Sequence, residues 1–351
     1  MSYERSWPGL ITQILDGVDL SVAEAAWAME QVLAGAATDA QLAGFLVALR
    51  VKGETVDEIV GFRDSILATA VEIDISPVAL DIVGTGGDRY GTVNVSTMAS
   101  VVAAASGIPV IKHGNRAASS LSGSSDVLGA LGINLDLEPG QVAEVFESVG
   151  ITFVFAAKFL PSFRHAAAVR RELGIPTVFN FLGPLSNPAR PEASAVGVAI
   201  ADKVPLVVGV FQRRRATALV FRGEDGLDEL TTTGRSRIWE ISRGEVLEHE
   251  LDPLELGIPR ATIDELVGGD ARHNAEVARR VFAGDSGAVR DIVLLNAAAG
   301  MVSFDLMMNP REVEVPLRER FERKLVIAAE TVDAGLAEAK LAAWAEATTS
   351  R

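Results

Sequence analysis

A glycine-rich loop carries the first group of residues that could do chemistry. Gly84-Thr85-Gly86-Gly87-Asp88 follows a short apolar run over 80–83, which is typical of the end of a buried strand. Three glycines within four positions permit positive φ and close approach of the backbone to a ligand. Ser96 or Thr97 can then N-cap the apolar run over 97–106, which predicts a helix. A strand, a glycine loop and a capped helix together favour a phosphate site, because free N–H groups and the positive helix end face the ligand.

This loop matches neither of the two common phosphate-binding motifs. It lacks the lysine of Gly-x-x-x-x-Gly-Lys-Ser/Thr and the third glycine of the dinucleotide fingerprint. The alternative is a tight turn in which the glycines serve backbone geometry alone. Asp88, Asn94, Ser96 and Thr97 stand close behind the loop and favour the anion site over the turn.

A second polar group is Lys112-His113-Gly114-Asn115-Arg116, which continues through serines to Ser124. It follows the predicted strand 109–111, so it also lies at the carboxyl end of a strand, where open α/β sheets place ligands. Lys112 can supply a point charge for phosphate, and Asn115 could bond a carboxylate or a hydroxyl. His113 could anchor the loop as easily as contact a substrate. The alternative for the whole segment is a solvated basic loop.

A third group is acidic and follows the predicted strand that ends at Phe221. Glu224-Asp225 and Asp228-Glu229 suit Mg²⁺, which proteins hold with one or two carboxylates plus substrate phosphates. Taken alone, such a segment is more often an acidic surface turn. Two phosphate-type loops on the same edge of the sheet favour the metal.

A fourth group mixes aromatic residues with arginines between residues 155 and 188. Phe163, Phe179 and Phe181 alternate with cations such as Arg164 and Arg170. Arginine binds a carboxylate in a bidentate fashion, so the segment could hold a planar anionic acceptor. The alternative is a domain-crossing loop with aromatic residues in the core.

The elements that must position these groups fall into two regions. Residues 8 to about 70 have the periodicity of amphipathic helices, with capping boxes at Ser21–Glu24, Thr38–Gln41 and Thr55–Glu58. Beyond Pro77, short apolar strands alternate with helices, which is typical of a parallel α/β sheet. The predicted strands are 80–83, 109–111, 152–155, 194–198 and 218–221, with a hairpin over 237–251. The predicted helices are 97–106, 122–131, 139–149, 203–213, 274–283, 287–300, 317–334 and 336–345.

The predicted fold class is therefore α/β, with a small N-terminal helical domain and a larger α/β domain that has a mostly parallel central sheet. We place the helical domain at 1–77 and the α/β domain at 78–351. A crossing segment at about 159–188 is expected to return to the helical domain. The small N-terminal helices could bury an apolar stripe against a partner subunit or against their own chain.

Composition excludes several classes of function. The net charge of −15 disfavours non-specific binding to nucleic acid and to anionic membranes. The absence of cysteine excludes disulfides, thiol nucleophiles and zinc–thiolate sites. The N-terminus shows no secretory signal, and no uncharged apolar run approaches membrane-spanning length. We therefore expect a soluble, cytoplasmic protein with neither nucleic acid nor membrane as a partner.

Taken in order, these motifs resemble those of the anthranilate phosphoribosyltransferase family, which has the nucleoside phosphorylase-like (class IV) phosphoribosyltransferase fold. The matching segments cover nearly the whole chain, from Thr38–Gln41 to Leu294–Ala297. Between them lie 84–88, 94–97, 112–116, 122–128, 178–180, 182–185, 187–188 and 226–229. Pyrimidine nucleoside phosphorylases share the fold, but the string over 112–116 favours the transferase.

The resemblance implies transfer of the 5-phosphoribosyl group from phosphoribosyl pyrophosphate (PRPP) to anthranilate, with release of pyrophosphate, in the second step of tryptophan biosynthesis from chorismate. It also implies Mg²⁺ as cofactor and a homodimer joined through the helical domain. By position, the PRPP site would comprise Gly84, Gly87, Asp88, Thr92, Asn94, Val95, Ser96, Thr97, Lys112, His113, Gly114, Asn115, Arg116, Ala117, Ala118, Ser119, Ser120 and Ser124. Gly84, Asn115 and Arg170 would contact anthranilate, and Ser96, Asp228 and Glu229 would handle Mg²⁺. No catalytic base is implied, because an aromatic amine is nucleophilic without prior deprotonation and positioning can supply much of the rate.

One segment departs from the family pattern. Family members usually carry a histidine before the proline where this chain has Phe159-Leu160-Pro161, and Ala-Pro where it has Ala156-Ala157. His165 lies about 140° further around an ideal helix and is a poor substitute. Three alternatives stay open: the leucine is tolerated at a cost in acceptor binding, the pocket suits another aromatic amine, or the acceptor binds weakly. From another class, a non-catalytic PRPP-binding protein is the rival hypothesis.

Overall fold

Four helices open the chain in the computed structural model, which describes residues 4–116 and 121–350. They are α1 (Trp7–Leu15), α2 (Val22–Leu33), α3 (Asp39–Lys52) and α4 (Val56–Ala68). The three predicted capping boxes are all present, at Ser21, Thr38 and Thr55, and each begins a helix. In each box a hydroxyl accepts a backbone N–H while the side chain of Glu or Gln returns to the capping residue.

The larger region alternates strands with helices, as the sequence predicts. Its elements are β1 (Leu80–Gly84), α5 (Val95–Ala105), β2 (Val110–Gly114), α6 (Ser124–Ala130), α7 (Pro139–Val149), β3 (Ile151–Phe155), α8 (Ala156–Phe159), α9 (Arg164–Leu173), α10 (Phe179–Leu182), β4 (Ala193–Gly197), α11 (Val204–Arg213), β5 (Thr217–Gly223), β6 (Ser236–Ser242), β7 (Glu245–Leu251), α12 (Ile263–Leu266), α13 (Ala271–Phe282), α14 (Ala288–Met308), α15 (Leu317–Asp333) and α16 (Leu336–Thr349).

The strands form one sheet in the order β3-β2-β1-β4-β5-β6-β7. The first five are parallel, while β6 and β7 form the predicted hairpin and pair antiparallel. The chain builds outward from β1 to β3 and then returns to the other side of β1, so the connections diverge between β1 and β4. Open α/β sheets bind ligands outside the carboxyl ends of strands at such a switch point. The glycine loop after β1 lies there.

Two buried clusters hold the molecule together. One packs the helices and the sheet of the α/β region around residues such as Val102, Phe221 and Leu295. The other combines the N-terminal helices with apolar side chains of β4, β5, α9, α10 and α11. Leu160 and Phe179 belong to this second cluster and pack with the helical domain, whereas Phe159 belongs to the first. The boundary at residue 77 stays a prediction.

Helix α14 is the one helix among the described residues long and apolar enough to cross a membrane by length and composition. In this fold it lies inside, with 72% of its most apolar window buried. A Cβ at Gly300 would come within 2.6 Å of Ile82 Cδ1, so this glycine allows the close approach of α14 to β1. The helix is therefore a central part of the core.

Two predicted boundaries near the glycine loop are wrong. Helix α5 begins at Val95 with Asn94 at its N-cap, so Ser96 and Thr97 lie within its first turn and cap nothing. The side chain of Asn94 makes no cap bond because it is committed elsewhere. Strand β2 continues to Gly114, which places Lys112 and His113 in the strand rather than in the loop after it. Helix α14 also continues to Met308, well beyond the predicted end at residue 300.

Candidate active site

The glycine loop and the acidic turn pack directly against each other. The N–H of Gly86 donates to Asp228 Oδ2 at 2.6 Å. A Cβ on Gly84 would overlap that same carboxylate, and a Cβ on Gly197 would overlap the backbone of Asp228. The ends of β1 and β4 thus enclose Asp228 where only glycine fits. Two segments about 140 residues apart in sequence meet at the carboxyl edge of the sheet.

Three carboxylates crowd together at this contact. Burial, and then the charge of Asp88, raise the pKa of Asp228 to about 7. Burial and Asp228 likewise raise the pKa of Glu229 well above its usual range, although the N–H of Ser96 donates to it at the start of α5. Burial also raises the pKa of Asp88, which is hydrogen-bonded to Asp228. Each of these carboxyl groups is therefore protonated more readily than an isolated one, because burial and its neighbours disfavour the charged form.

These carboxylates do not form a complete metal centre by themselves. Within residues 4–116 and 121–350, no three His, Asp or Glu side chains converge in the way that the ligands of a resident ion do. The oxygen donors nevertheless have the chemistry that Mg²⁺ prefers, and their raised pKa values indicate charge that a cation would relieve. The arrangement suits a cation that also takes oxygens from a bound phosphate.

The neighbouring Asp225 has a different role from the one its sequence position suggested. Its Oδ2 accepts the hydroxyls of Thr231 and Thr233, each at 2.6 Å, and its Oδ1 accepts the N–H of Leu227 at 3.0 Å. Tyr90 Oη donates to the carbonyl of Asp225 at 2.7 Å and ties the glycine loop to this turn. Asp225 therefore builds the turn, and Asp228 and Glu229 are the carboxylates next to the loop.

Lys112 lies beneath the glycine loop rather than on a solvated loop. It is 1% exposed, and its Nζ donates to the carbonyl of Ile82 at 2.7 Å and to Ser96 Oγ at 3.4 Å. Burial lowers the pKa of Lys112, whereas Asp81 and Glu229 oppose that shift. The ammonium group therefore supports the underside of the glycine loop and contacts Ser96.

A buried polar network that the sequence analysis missed lies beside Lys112. Asp81 accepts the N–H of His113 at 3.2 Å and the amide of Asn187 at 2.9 Å, and burial raises its pKa to about 6. Asn187 also donates to the carbonyl of Ile111 at 3.0 Å. The position of Asp81 within an apolar strand could have predicted this network, because a buried carboxylate needs hydrogen-bond partners.

His113 anchors structure rather than offering a charge. Burial, and then Lys112, lower its pKa to about 4, so the ring is neutral near pH 7. The ring is hydrogen-bonded to the backbone of Gly183. His113 therefore joins β2 to the crossing segment, and its contact with the bound ligand stays a prediction.

The second loop is described only in part. Asn115 and Arg116 are exposed at its start, and Ser124 begins α6 with its Oγ donating to the carbonyl of Asn115 at 3.3 Å. Ala117, Ala118, Ser119 and Ser120 lie outside the described residues. A Cβ on Gly114 would overlap Ser124 Oγ, so this glycine brings the two ends of the loop together.

The other residues predicted for the PRPP site lie between Gly87 and the first turn of α5. Thr92 forms a backbone bridge with Val267, and Val95 and Thr97 are buried. Within the described residues the Thr97 hydroxyl has no hydrogen-bond partner. Gly87 has a φ of +90°, a conformation that favours glycine.

The arginine and aromatic residues predicted to hold an acceptor lie on and next to α9 and α10. The Arg170 guanidinium lies 5.1 Å from the ring centroid of Phe179, which also contacts Phe163 edge-on at 5.8 Å. Burial lowers the pKa of Arg170, and no carboxylate pairs with it in the part of the chain that the structure describes. A half-buried guanidinium without a counter-charge is suited to an anionic ligand.

Leu160 and His165 occupy different environments. Leu160 is 3% exposed within the helical cluster, whereas the side chain of His165 is exposed and lies against Gly35. A Cβ on Gly35 would come within 2.8 Å of His165 Nδ1. His165 does not replace a side chain at position 160.

Comparisons with known proteins cover nearly the whole chain. Residues 8–70 match the family model described as "Glycosyl transferase family, helical bundle domain", and residues 76–321 match "Glycosyl transferase family, a/b domain". An anthranilate phosphoribosyltransferase from Leifsonia xyli subsp. xyli is 63% identical over 348 residues, which is 99% of this chain and 100% of that protein. One from Clavibacter michiganensis subsp. michiganensis is 64% identical, over 98% of each chain.

Two solved structures share the fold over nearly their full length. The crystal structure of anthranilate phosphoribosyltransferase from Thermus thermophilus has a TM-score of 0.87 at 38% identity, covering 97% of this chain and 99% of that chain. The Saccharomyces cerevisiae enzyme in complex with PRPP and Mg has a TM-score of 0.89 at 25% identity, covering 99% of each chain.

Proposed function

This chain belongs to the anthranilate phosphoribosyltransferase family, and we infer that it transfers the 5-phosphoribosyl group of PRPP to the amino group of anthranilate. The product is N-(5-phosphoribosyl)anthranilate, with pyrophosphate released, in the second step of tryptophan biosynthesis from chorismate. The main structural support for this assignment is the contact between the glycine loop and Asp228, which lies at the switch point of the sheet.

The donor substrate is proposed to bind along the glycine loop and the start of α5. N–H groups and the positive end of α5 favour its phosphates. Gly84, Gly87, Asp88, Thr92, Asn94, Val95, Ser96 and Thr97 form this half of the site. The segment from Lys112 to Ser120, with Ser124, is proposed to form the other half.

Mg²⁺ is proposed to bind together with the pyrophosphate of PRPP. Asp228, Glu229 and the Ser96 hydroxyl offer oxygen ligands, and the crowding of carboxylates fits a divalent cation. The yeast structure with PRPP and Mg supports this proposal. When bound, the ion would neutralise charge on the leaving pyrophosphate.

The protein's own contribution is positioning and electrostatics. The amine nitrogen forms a bond to the ribosyl C1, the bond from C1 to pyrophosphate breaks, and the amine loses one proton. Backbone N–H groups at the glycine loop face the charge that develops on the leaving group. Scarcity of histidine is consistent with a reaction in which the amine attacks without a dedicated base.

Anthranilate is proposed to approach from the helical domain. Arg170 would pair with its carboxylate, with Gly84 and Asn115 contacting it from the α/β side. The stacking of Arg170 on Phe179 holds the guanidinium in place without neutralising it.

We propose that the chain forms a homodimer through its helical domain. Val51 on α3 is 81% exposed and Leu15 at the end of α1 is 69% exposed, and these two helices pack together. Exposed apolar side chains on adjacent helices favour burial against a partner. We further propose a cytoplasmic location, with small molecules and a second copy as partners and neither nucleic acid nor membrane. The net charge of −15 supports that choice.

The loss of anthranilate fluorescence tests the assignment. We expect consumption that requires both PRPP and Mg²⁺ and stops when the ion is chelated. Leu160→His, measured beside the wild type on a panel of aromatic amines, tests whether position 160 influences the acceptor. Binding of PRPP without turnover of anthranilate would overturn the proposed acceptor, and no turnover of any amine would support a non-catalytic PRPP-binding protein.

A further inference from the structure

Asn94 and Asn274 form a chain of amide hydrogen bonds that joins three distant segments. Asn274, on the first turns of α13, is 3% exposed. Its Oδ1 accepts the N–H of Gly269 at 2.7 Å, and its Nδ2 donates to Asn94 Oδ1 at 2.9 Å. Asn94 Nδ2 in turn donates to the carbonyl of Ser122 at 3.2 Å.

Backbone groups at the two ends determine how both amides are oriented. A backbone N–H can only donate and a backbone carbonyl can only accept. The N–H of Gly269 therefore requires the oxygen of Asn274, which turns its nitrogen toward Asn94. Asn94 must then present its oxygen to Asn274 and its nitrogen to Ser122. One N–H of the Asn94 amide is left for another acceptor.

The segment before α13 is also attached to the glycine loop. The N–H of Gly268 donates to the carbonyl of Gly91 at 2.8 Å, and the N–H of Val93 donates to the carbonyl of Leu266 at 3.0 Å. A Cβ on Gly268 would lie 2.7 Å from Asn274 Oδ1 and 3.0 Å from Val93, so only glycine leaves the network intact. Asn94 is thus held in place by the backbone hydrogen bonds of its neighbours Gly91 and Val93 and by the hydrogen bonds of its own side chain.

We propose that Asn274 is a positioning residue for the donor substrate, because it orients Asn94 to offer an N–H rather than an oxygen to a phosphate of PRPP. Asn274 itself contacts no substrate. The inference rests on the proposed function, in which PRPP binds between the glycine loop and the loop that ends at Ser124. An Asn94 oxygen facing that space would repel the same anion.

Asn274→Asp tests the orientation with little change in shape. One carboxylate oxygen still accepts from Gly269, but the other meets Asn94 Oδ1 and repels it. Asn94 then rotates and turns its oxygen toward Ser122 and the ligand. We expect KM for PRPP to rise about ten- to a hundredfold, as for a lost hydrogen bond to a charged group, while KM for anthranilate changes less than about twofold.

Asn134→Asp is the matched control. Its amide also donates to a backbone carbonyl, that of Thr348 at 3.3 Å, and accepts a backbone N–H, that of Asp136 at 3.0 Å. These partners are remote from the glycine loop, so the control should lower the melting temperature without changing KM for PRPP. A change of both KM values in Asn274→Asp, or of neither, would overturn the proposal.

A double variant separates orientation from general support of the fold. If Asn274 acts through Asn94, then Asn94→Ala and Asn94→Ala/Asn274→Asp have the same KM for PRPP within about twofold. Additive increases would contradict that. If Asn274→Asp does not fold, Asn94→Asp presents an oxygen directly and should weaken PRPP binding similarly.

Calorimetric titration with Mg·PRPP measures donor binding without anthranilate, so it tests the role of Asn274 separately from the identity of the acceptor. If the wild type binds PRPP but leaves anthranilate unchanged, the proposed function is wrong, and the affinities of the wild type and Asn274→Asp for Mg·PRPP can still be compared. Equal affinity of the wild type and Asn274→Asp for Mg·PRPP would overturn the inference alone.

Discussion

Asp225 and Asp228 stand three residues apart in one turn, and their carboxylates meet very different neighbours. Asp225 accepts hydrogen bonds on both oxygens from Thr231, Thr233 and Leu227. Asp228 meets Asp88 in a buried setting that raises its pKa to about 7. The Asp225 carboxylate therefore stabilises the fold, whereas the buried charge of Asp228 lowers its stability.

Substituting each aspartate by asparagine should therefore have opposite effects on the ligand-free protein. Asp228→Asn keeps an oxygen for Gly86, offers an N–H to Asp88 and removes a buried charge, so we expect the melting temperature at pH 8 to rise by about 2 °C. Asp225→Asn places a donor against hydroxyl and N–H donors and should lower it. Calorimetry without ligand checks both signs.

The same pair should differ in function. Asp228→Asn should abolish most of the stabilisation that Mg·PRPP gives to the wild type, because an amide is a weaker ligand for Mg²⁺ than a carboxylate. A lower melting temperature for Asp228→Asn than for the wild type would contradict the account of a strained carboxylate cluster.

Arg170 should control the acceptor and not the donor. Arg170→Gln removes the unpaired guanidinium above Phe179, and we expect KM for anthranilate to rise about ten- to a hundredfold with KM for PRPP nearly unchanged. Arg171→Gln is the matched control, because Arg171 is exposed on the same helix. Steady-state kinetics with each substrate varied distinguishes the two. Equal effects of the two variants would exclude Arg170 from the acceptor site.

At the level of elements, the sequence predicts the starts of the N-terminal helices α2, α3 and α4 better than the end of β2 or the start of α5. Each N-terminal capping box is a local signal and was found where expected. The end of β2 was missed because Lys112 and His113 are polar, yet both are buried beside partners in β1, Ile82 and Asp81. Periodicity contains no information about such partners.

A buried ion pair between Arg320 of α15 and Glu240 of β6 joins the two elements. The two terminal nitrogens of Arg320, Nη1 and Nη2, donate to Glu240 at 2.6 and 2.8 Å, and His249 Nε2 lies 2.9 Å from the same carboxylate. Burial would raise the pKa of Glu240, but the hydrogen bonds of His249 and Arg320 lower it overall. The depressed pKa contributes stability above about pH 4.5, and that contribution is lost as the pH falls.

Arg320→Met should destabilise the fold by about 3–5 kcal/mol near neutral pH, because it leaves the Glu240 charge buried without this ion pair. The loss should shrink near pH 5, where a carboxyl whose pKa is no longer held down can take up a proton. Denaturant unfolding at both pH values measures this, with Arg323→Met at an exposed pair as control. A loss that does not depend on pH would show that packing, not charge, dominates.

At the scale of the whole molecule, the order of the strands was beyond the sequence analysis. Alternation of strands and helices predicted a parallel sheet, but the position of β1 between β2 and β4 depends on which strands pair across long connections. The contact of Gly84 with Asp228 and that of Asn94 with Asn274 follow from that topology. Motifs predicted the residues of the site, and the fold determined which of them meet.

The proposed dimer makes a prediction at this scale. Val51→Asp places a charge on the exposed apolar side of α3, and we expect the protein to sediment as a monomer where the wild type sediments as a dimer. Val326→Asp is the control, because Val326 is also exposed but lies on α15. A wild type that is monomeric at micromolar concentration would contradict a stable dimer.

The initial rate of anthranilate consumption by Gly84→Ala, measured beside Gly129→Ala, tests whether phosphoribosyl transfer depends on the packing of the glycine loop against Asp228. A Cβ at position 84 displaces Asp228, whereas a Cβ at position 129, on α6, meets nothing within 4 Å. We expect kcat/KM to fall about a hundredfold or more in Gly84→Ala and to stay near wild type in Gly129→Ala. Near-wild-type activity of Gly84→Ala would show that phosphoribosyl transfer does not depend on the contact between the glycine loop and the acidic turn.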